Sequence, residues 1–173
     1  MKDINQAVIL AGGRGLSNLI DVINEIPNIK LIIRFRPKKE LSIDALQNIL
    51  PRSNKYEISV GNNLIEDIKK SFLLVSFSST VIEESIKYRI PVLLWGGTNR
   101  YKHINVNHFL PNQHKRYCVY TADKKDKLKI LIQNLIKYHF NKPLKIEEVN
   151  SYIWQNDYLS KEKFVDKIIN NKI

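Results

Sequence analysis

The first two-thirds of the chain alternates between short apolar runs and longer stretches with helical periodicity. Residues 31–33 and 73–75 are uninterrupted apolar runs, a pattern typical of strands that are buried on both faces. Between residues 16 and 26 the apolar positions recur every three or four residues, as on one face of a helix. Because single helices separate successive strands, the pattern predicts right-handed crossovers and a parallel sheet covered by helices on both faces.

Six strands and the helices between them can be placed along the sequence. The strands are predicted at 7–10, 30–35, 56–60, 72–77, 91–95 and 117–120, and the helices at 16–26, 43–50, 64–70, 78–88 and 123–140. Ser17 and Ser42 are candidate helix caps. The prediction is an α/β chain whose residues 1–143 form a Rossmann-like, three-layer α/β/α domain with a six-stranded parallel sheet.

The last thirty residues break this alternation. Residues 144–173 predict one or two helices that carry Tyr152, Trp154, Tyr158 and Phe164. We expect this C-terminal helical extension to pack on the Rossmann-like domain or on a partner domain.

Composition narrows the class of protein further. A length of 173 residues fits one domain, and the single cysteine, Cys118, excludes an internal disulfide framework. Neither a spanning run of about 20 apolar residues nor a signal-peptide pattern is present, so a cytoplasmic location is expected. The net charge of +11 predicts anionic partners, either nucleotide phosphates or an anionic membrane surface at which the protein is peripheral. A lysine-rich surface composition without such a partner is the alternative. No nucleic acid is expected, because arginines and aromatic residues do not interleave.

Candidate binding residues follow the predicted strands, where ligands of parallel sheets lie. Gly12, Gly13, Arg14 and Gly15 join the first strand to its helix, a turn whose backbone amides suit a phosphate. A tight turn without a ligand is the alternative. The dinucleotide pattern is incomplete, since Asn18 replaces its third glycine and no acidic residue ends the second strand, so NAD is disfavoured. Arg36, before Pro37, is placed to reach a phosphate.

A second cluster follows the fourth strand. Ser78, Ser79 and Thr80 open a helix and predict either a second phosphate contact or simple capping. One of Glu83 and Glu84, in the first turns of that helix, is expected to accept the hydroxyls of a ribose. Gly97, Arg100 and His103 lie in the loop that follows the fifth strand. They are candidates either for contact with the sugar of a ligand or for a role in the loop alone. No metal site is expected from the spacing of the histidines.

The stretch from Ser78 to Ser85, followed by Ile90-Pro91-Val92, carries a family signature. It resembles the Ser-Gly-Gly-x-x-Glu-Glu-Ala and Gly-x-Pro-Val pattern of UDP-N-acetylglucosamine 2-epimerases and related GT-B glycosyltransferases. It is also similar to the Ser-Ser-x-x-x-Glu pattern of surface-polysaccharide and teichoic-acid type transferases. The resemblance extends over residues 5–120, with its specific part at 78–94.

The resemblance implies roles for the candidate residues. Ser78, Ser79 and Thr80 would hold the pyrophosphate and Glu84 the ribose, while Gly61 and Asn62 lie in the segment that corresponds to the base pocket. The chain would be the C-terminal, donor-binding half of a glycosyltransferase of polysaccharide or glycan biosynthesis, performing hexosyl or related transfer. Its substrate would be a nucleotide sugar, UDP-linked by preference, without a further cofactor, and its acceptor a glycan or a lipid-linked molecule. An N-terminal acceptor domain or a partner subunit would complete it.

Three departures leave the donor sugar and the stereochemistry open. Arg89 replaces the family's glycine, Arg36-Pro37 stands where many relatives have His-Pro, and the pair of glutamates eight positions apart is absent.

Two other functions also fit the sequence. Residues 7–15 are similar to the start of sugar-nucleotide pyrophosphorylases, which are nucleotidyltransferases, but the Lys-Pro expected after the first helix is missing. A non-enzymatic α/β binding or scaffold subunit is the third interpretation.

Overall fold

A computed structural model of the chain describes residues 6–12, 15–36, 42–61, 63–76, 79–95 and 106–154. For Ser79, Thr80, Ile153 and Trp154 it describes the backbone alone.

Six strands alternate with helices, as the apolar pattern predicts. The strands are β1 (Ala7–Ala11), β2 (Ile29–Arg34), β3 (Tyr56–Ser59), β4 (Leu73–Ser76), β5 (Val92–Trp95) and β6 (Val119–Ala122). The helices are α1 (Leu16–Asn24), α2 (Ile43–Ile49), α3 (Leu64–Lys70), α4 (Ser79–Lys87), α5 (Lys125–His139) and α6 (Ile146–Trp154). All pairs are parallel, in the order β3-β2-β1-β4-β5-β6. The predicted α/β fold with a six-stranded parallel sheet is confirmed.

The sheet separates two hydrophobic layers. One layer packs α1, α2 and α5 against alternate strand residues, among them Ile9, Leu31 and Leu93. The other packs α3, α4 and α6 against the intervening residues, among them Leu10 and Leu94. The inner strands β1, β4 and β5 are therefore buried on both faces, which is why their sequences are nearly continuous apolar runs. The edge strand β3 instead carries an exposed Glu57.

Some element boundaries differ from those expected. The sixth strand begins at Val119 rather than at residue 117, because the register pairs Val92, the first residue of β5, with Val119. Ser17 is not a cap, since α1 begins at Leu16 with Gly15 as its N-cap. Ser42 does cap α2, accepting the Ala45 N–H at 3.1 Å.

The start of the C-terminal segment packs on this domain. Arg116 forms a bidentate ion pair with Glu148 of α6, with distances of 2.9 Å from Nε and 2.8 Å from Nη2. The same guanidinium donates to the carbonyl oxygens of Tyr138 and Lys142 around the end of α5. Tyr152 contacts the second hydrophobic layer. Tyr158 and Phe164 lie outside the described residues, and the predicted division at residue 143 remains a prediction.

No helix within the described ranges has both the length and the hydrophobicity needed to span a bilayer.

Candidate functional site

The carboxyl ends of β1 and β4, which lead to α1 and α4, lie side by side in the sheet. β1 and β4 are hydrogen-bonded neighbours, pairing Ala11 with Val75, and the Gly12 N–H continues this contact to the Val75 carbonyl at 3.3 Å. From this pair the chain runs outward in both directions, to β2 on one side and to β5 on the other. Parallel α/β sheets bind ligands at such a point, because the helices leave on opposite faces and a crevice opens between them.

Gly15 is the residue that directly precedes α1. Its φ of 78° lies in the left-handed region, and a Cβ atom would come within 2.6 Å of Trp95 Nε1. Trp95, the buried last residue of β5, donates its indole N–H to the Gly15 carbonyl at 3.0 Å. A glycine is therefore required here by both conformation and space. Gly15, the N-cap residue of α1, has no side chain that could accept a hydrogen bond from the first amides of the helix. Backbone amides at such a helix start suit an anion.

Helix α4 follows β4 and begins at Ser79. Ile82 and Ile86 bury one face of this helix against the sheet, Glu83 is exposed and Glu84 is half-buried. Glu83 lies near α6, because its charge helps to raise the pKa of Tyr152 to about 12, after the larger effects of burial and of Cys118. Glu84 follows Glu83 by about 100° around the helix, so the two carboxylates face different surroundings.

Arg34 organises the turn after β3. Its guanidinium donates to Asp67 Oδ2 at 3.0 Å and to Ser59 Oγ at 3.2 Å, and it also donates to the Gly61 carbonyl. Ser59 Oγ donates to the same carboxylate at 2.6 Å. Gly61 has a φ of 90° and is exposed. The network ties β2, β3 and α3 to the segment that the resemblance makes a base pocket.

The two arginines near the end of β2 thus differ. Arg34 is engaged in an ion pair, whereas Arg36 is exposed beyond the strand's end. Arg34, Asp67 and Trp95 are not among the candidate residues that the sequence pattern indicates. The signal for Arg34 was strand parity: it shares a face with Ile32, which belongs to the layer that contains α3.

Several predicted site residues lie outside the described residues: Gly13, Arg14, Asn62, Ser78, Gly97, Arg100 and His103. The side chains of Ser79 and Thr80 also lie outside them. Within the described ranges, no group of three or more His, Cys, Asp or Glu residues is arranged to hold a metal ion.

Groups with strongly shifted pKa values lie in the core. Burial lowers the pKa of His139 to about 3, with a smaller contribution from Arg116. Burial, together with the charge of Glu148, raises the pKa of Cys118 to about 12. The Tyr120 hydroxyl lies 2.9 Å from His139 Nε2 and accepts the Tyr117 N–H at 2.7 Å. Tyr120 and His139 are therefore a buried hydrogen-bonded pair, and Cys118 is an inert thiol.

Solved structures share this fold. The UDP-GlcNAc 2-epimerase of Neisseria meningitidis bound to UDP-GlcNAc aligns with a TM-score of 0.61 and 17% identity, covering 96% of this chain and 45% of that one. The MnaA–UDP structure from S. aureus aligns with a TM-score of 0.57 and 16% identity, covering 92% of this chain and 47% of that one. The spinosyn rhamnosyltransferase SpnG aligns with a TM-score of 0.52 and 10% identity, covering 99% of this chain and 46% of that one. No protein-family model matches the sequence, and no curated protein matches it.

These alignments confirm the resemblance at the level of the fold. The chain has the Rossmann-like architecture found in UDP-GlcNAc 2-epimerases and GT-B glycosyltransferases. It spans less than half the length of each of these three structures.

Proposed function

We propose that this chain is the donor-binding half of a GT-B type glycosyltransferase and binds a nucleotide diphosphate sugar at the carboxyl edge of its sheet. The observation that carries the proposal is the pairing of β1 with β4. This pairing brings Gly12, at the end of β1, next to the end of β4, from which the chain continues to α4 at Ser79. Two helix N-termini that meet at one crevice offer backbone amides to the two phosphates of one ligand.

The other candidate residues extend around the same edge. In the proposal, Ser78, Ser79 and Thr80 hold phosphate oxygens and Glu84 accepts the ribose hydroxyls. The base lies by Gly61 and Asn62, on the turn that Arg34 holds. UDP is the proposed nucleotide, since two structures of similar fold contain UDP-GlcNAc and UDP.

The proposed reaction is displacement at the anomeric carbon of the sugar. The leaving diphosphate is stabilised by the helix N-termini and by Arg14 or Arg36, and the catalytic base comes from elsewhere. Since the similar structures are more than twice as long, we propose that a second domain or subunit supplies the acceptor site. The acceptor would be a glycan or a lipid-linked molecule of polysaccharide biosynthesis on the cytoplasmic side of a membrane.

Calorimetric titration with UDP, CDP, GDP and their sugars tests the binding step. Glu84→Ala is expected to weaken UDP binding by about 1 to 3 kcal/mol, the range for a lost charged hydrogen bond, and Ser79→Ala by the lower part of that range. Glu83→Ala is the matched control, because it removes the same charge from the adjacent position and is expected to leave binding unchanged.

Other results would overturn the proposal. Equal losses in Glu83→Ala and Glu84→Ala would show a general charge effect rather than ribose recognition. Magnesium-dependent synthesis of a sugar nucleotide would favour the nucleotidyltransferase, and tight binding of a protein without any nucleotide would favour a scaffold subunit.

A further inference from the structure

A cavity of about 410 Å³ opens at the amino edge of the sheet, opposite the candidate nucleotide site. Val8, Phe72 and Ile90, near the starts of β1, β4 and β5, line its floor. Val8 precedes Gly12 by four residues, roughly 13 Å along an extended strand. The cavity is thus separate from the edge to which the proposed function is assigned.

The rim of this cavity is cationic. Lys69, Lys70, Arg89 and Lys142 line it, and no carboxylate is among the described residues that do so. None of the four forms an ion pair within the described part of the chain. Like charges gathered without a counter-charge repel one another and are relieved by a bound anion.

Some lysines elsewhere on the domain are paired with carboxylates. On the face formed by α1 and α5, Lys125 lies 2.8 Å from Asp21 and Lys129 lies 2.6 Å from Glu25. The cavity differs from that face because its four cations have no carboxylate partner among the described residues.

Arg89 lies just beyond the end of helix α4, at the rim of the cavity. Its φ of 63° lies in the left-handed region, where glycine is favoured. The other described non-glycine residues with positive φ, Asn28 and Asn141, are of a type that tolerates this conformation. The conformation is that of a residue closing a helix: the Arg89 N–H donates to the Ile86 carbonyl at 2.8 Å, and the Ile90 N–H donates to the Ser85 carbonyl at 2.9 Å. Glycine would serve this backbone position equally well, so what an arginine adds here is its side chain at the cavity.

The arginine is also positioned for a ligand. Its Nε donates to the Leu144 carbonyl at 2.5 Å, which fixes the side chain. Its terminal nitrogens make no hydrogen bond within the described residues, so the planar fork is free for a phosphate group.

The remaining wall is aromatic. Phe72 and Phe140 meet edge to face at 5.7 Å, and Lys69 Nζ lies 5.2 Å from the centre of the Tyr88 ring. An apolar wall below a cationic rim suits a phosphate that is attached to an organic group. We infer that this cavity binds a phosphate-bearing anion, either a small soluble phosphate compound or the headgroup of a phospholipid.

Residue-resolved NMR of the ¹⁵N-labelled chain, titrated with inorganic pyrophosphate at constant ionic strength, tests the inference. The amides of Ser71, Arg89 and Lys142 are expected to shift saturably. Arg89→Gly is expected to weaken these shifts tenfold or more while the chain stays folded, because glycine suits the left-handed φ. The double variant Lys69→Ala/Lys70→Ala, at two exposed positions, is expected to weaken them similarly.

A matched control is Lys127→Ala, which removes a lysine of α5 that is paired with Asp123. The inference is overturned if the amino-edge amides do not shift, if both cavity variants bind like the wild type, or if Lys127→Ala weakens binding equally. The amides of Gly12 and Gly15 report the carboxyl edge in the same titration, so failure there is distinguished from failure of the cavity.

Vesicles separate the two sources of the phosphate. Sedimentation with phosphatidylglycerol but not phosphatidylcholine vesicles, reduced by Arg89→Gly and by pyrophosphate, would assign the cavity to a lipid headgroup. Pyrophosphate binding without sedimentation would assign it to a soluble phosphate compound. Sedimentation that Arg89→Gly leaves unchanged, without amide shifts at the cavity, would overturn the inference.

Discussion

The indole N–H of Trp95 donates to the carbonyl of Gly15 at 3.0 Å and joins the end of β5 to the first turn of α1. A side chain at position 15 would collide with that indole. Gly15→Ala is therefore expected to lower the free energy of unfolding by about 2 to 4 kcal/mol, through backbone strain and steric overlap together. Urea denaturation measures the loss.

Gly61→Ala separates the two effects. Gly61 also has a positive φ, of 90°, but a Cβ there would meet no atom within 4 Å. It should lose only the strain component, about 1 kcal/mol. Equal losses at the two positions would show that contact with Trp95 contributes nothing.

The ion pair between Arg34 and Asp67 should stabilise the domain. The carboxylate is largely buried, so Arg34→Met would leave it uncompensated and is expected to cost about 2 to 4 kcal/mol. The exposed pair of Lys30 and Glu57 on the same two strands is the control, and Lys30→Met should cost at most about 1 kcal/mol. Chemical denaturation compares the variants, and similar losses would contradict a special role for Arg34.

His139 should make the domain less stable as the pH falls. Burial lowers its pKa from 6.5 in the unfolded chain to about 3, so below pH 6.5 the unfolded chain binds a proton that the folded one does not. The neutral form thus stabilises the fold fully above pH 6.5, and this contribution declines from pH 6.5 towards 3. In His139→Gln, the loss of stability between pH 7 and 5.5 should be smaller by about 1 kcal/mol.

Unfolding experiments at several pH values measure this dependence. His114→Gln, at an exposed histidine, should retain the wild-type dependence on pH. An unchanged dependence in His139→Gln would mean that this imidazole is accessible to protons in the folded state.

The bidentate pair of Arg116 and Glu148 should hold α6 on the domain. Both side chains are mostly buried, at 10% and 17% exposure. Glu148→Gln is expected to cost about 2 to 3 kcal/mol and to accelerate hydrogen exchange within α6. Glu147→Gln, at the exposed neighbouring position, should change neither quantity, and protection of α6 that survives in Glu148→Gln would locate the attachment elsewhere.

Cys118 should resist thiol reagents in the native protein. The thiol is buried and its pKa is raised to about 12, so almost no thiolate is present near neutral pH. Reaction with Ellman's reagent should be slow until urea unfolds the chain. Asn48→Cys in a Cys118→Ser background places a thiol at an exposed position of α2 and should react promptly. Rapid labelling of native Cys118 would indicate local opening at the amino end of β6.

Most of the sheet could be predicted because the inner strands β1, β4 and β5 are apolar runs with distinct polar boundaries. Helix α3 was predicted at residues 64–70, its observed bounds, since Gly61 precedes it and the buried strand follows at once. The contacts that shape the site were not predictable in the same way. Trp95 and Gly15 are 80 positions apart, and Arg34 and Asp67 are 33 apart. These contacts depend on which strands become neighbours and on strand register, which local periodicity does not encode.

The pairing of β1 with β4 also has a consequence for folding order. Val75 is 64 positions from Ala11, with three helical crossovers between them, so the loop that this pair closes is among the more costly to form. A fragment that ends before β4 would lack half of the crevice. Ligand affinity should therefore appear only after the long-range pair has assembled, and a nucleotide that binds there would select the completed sheet over partly folded states.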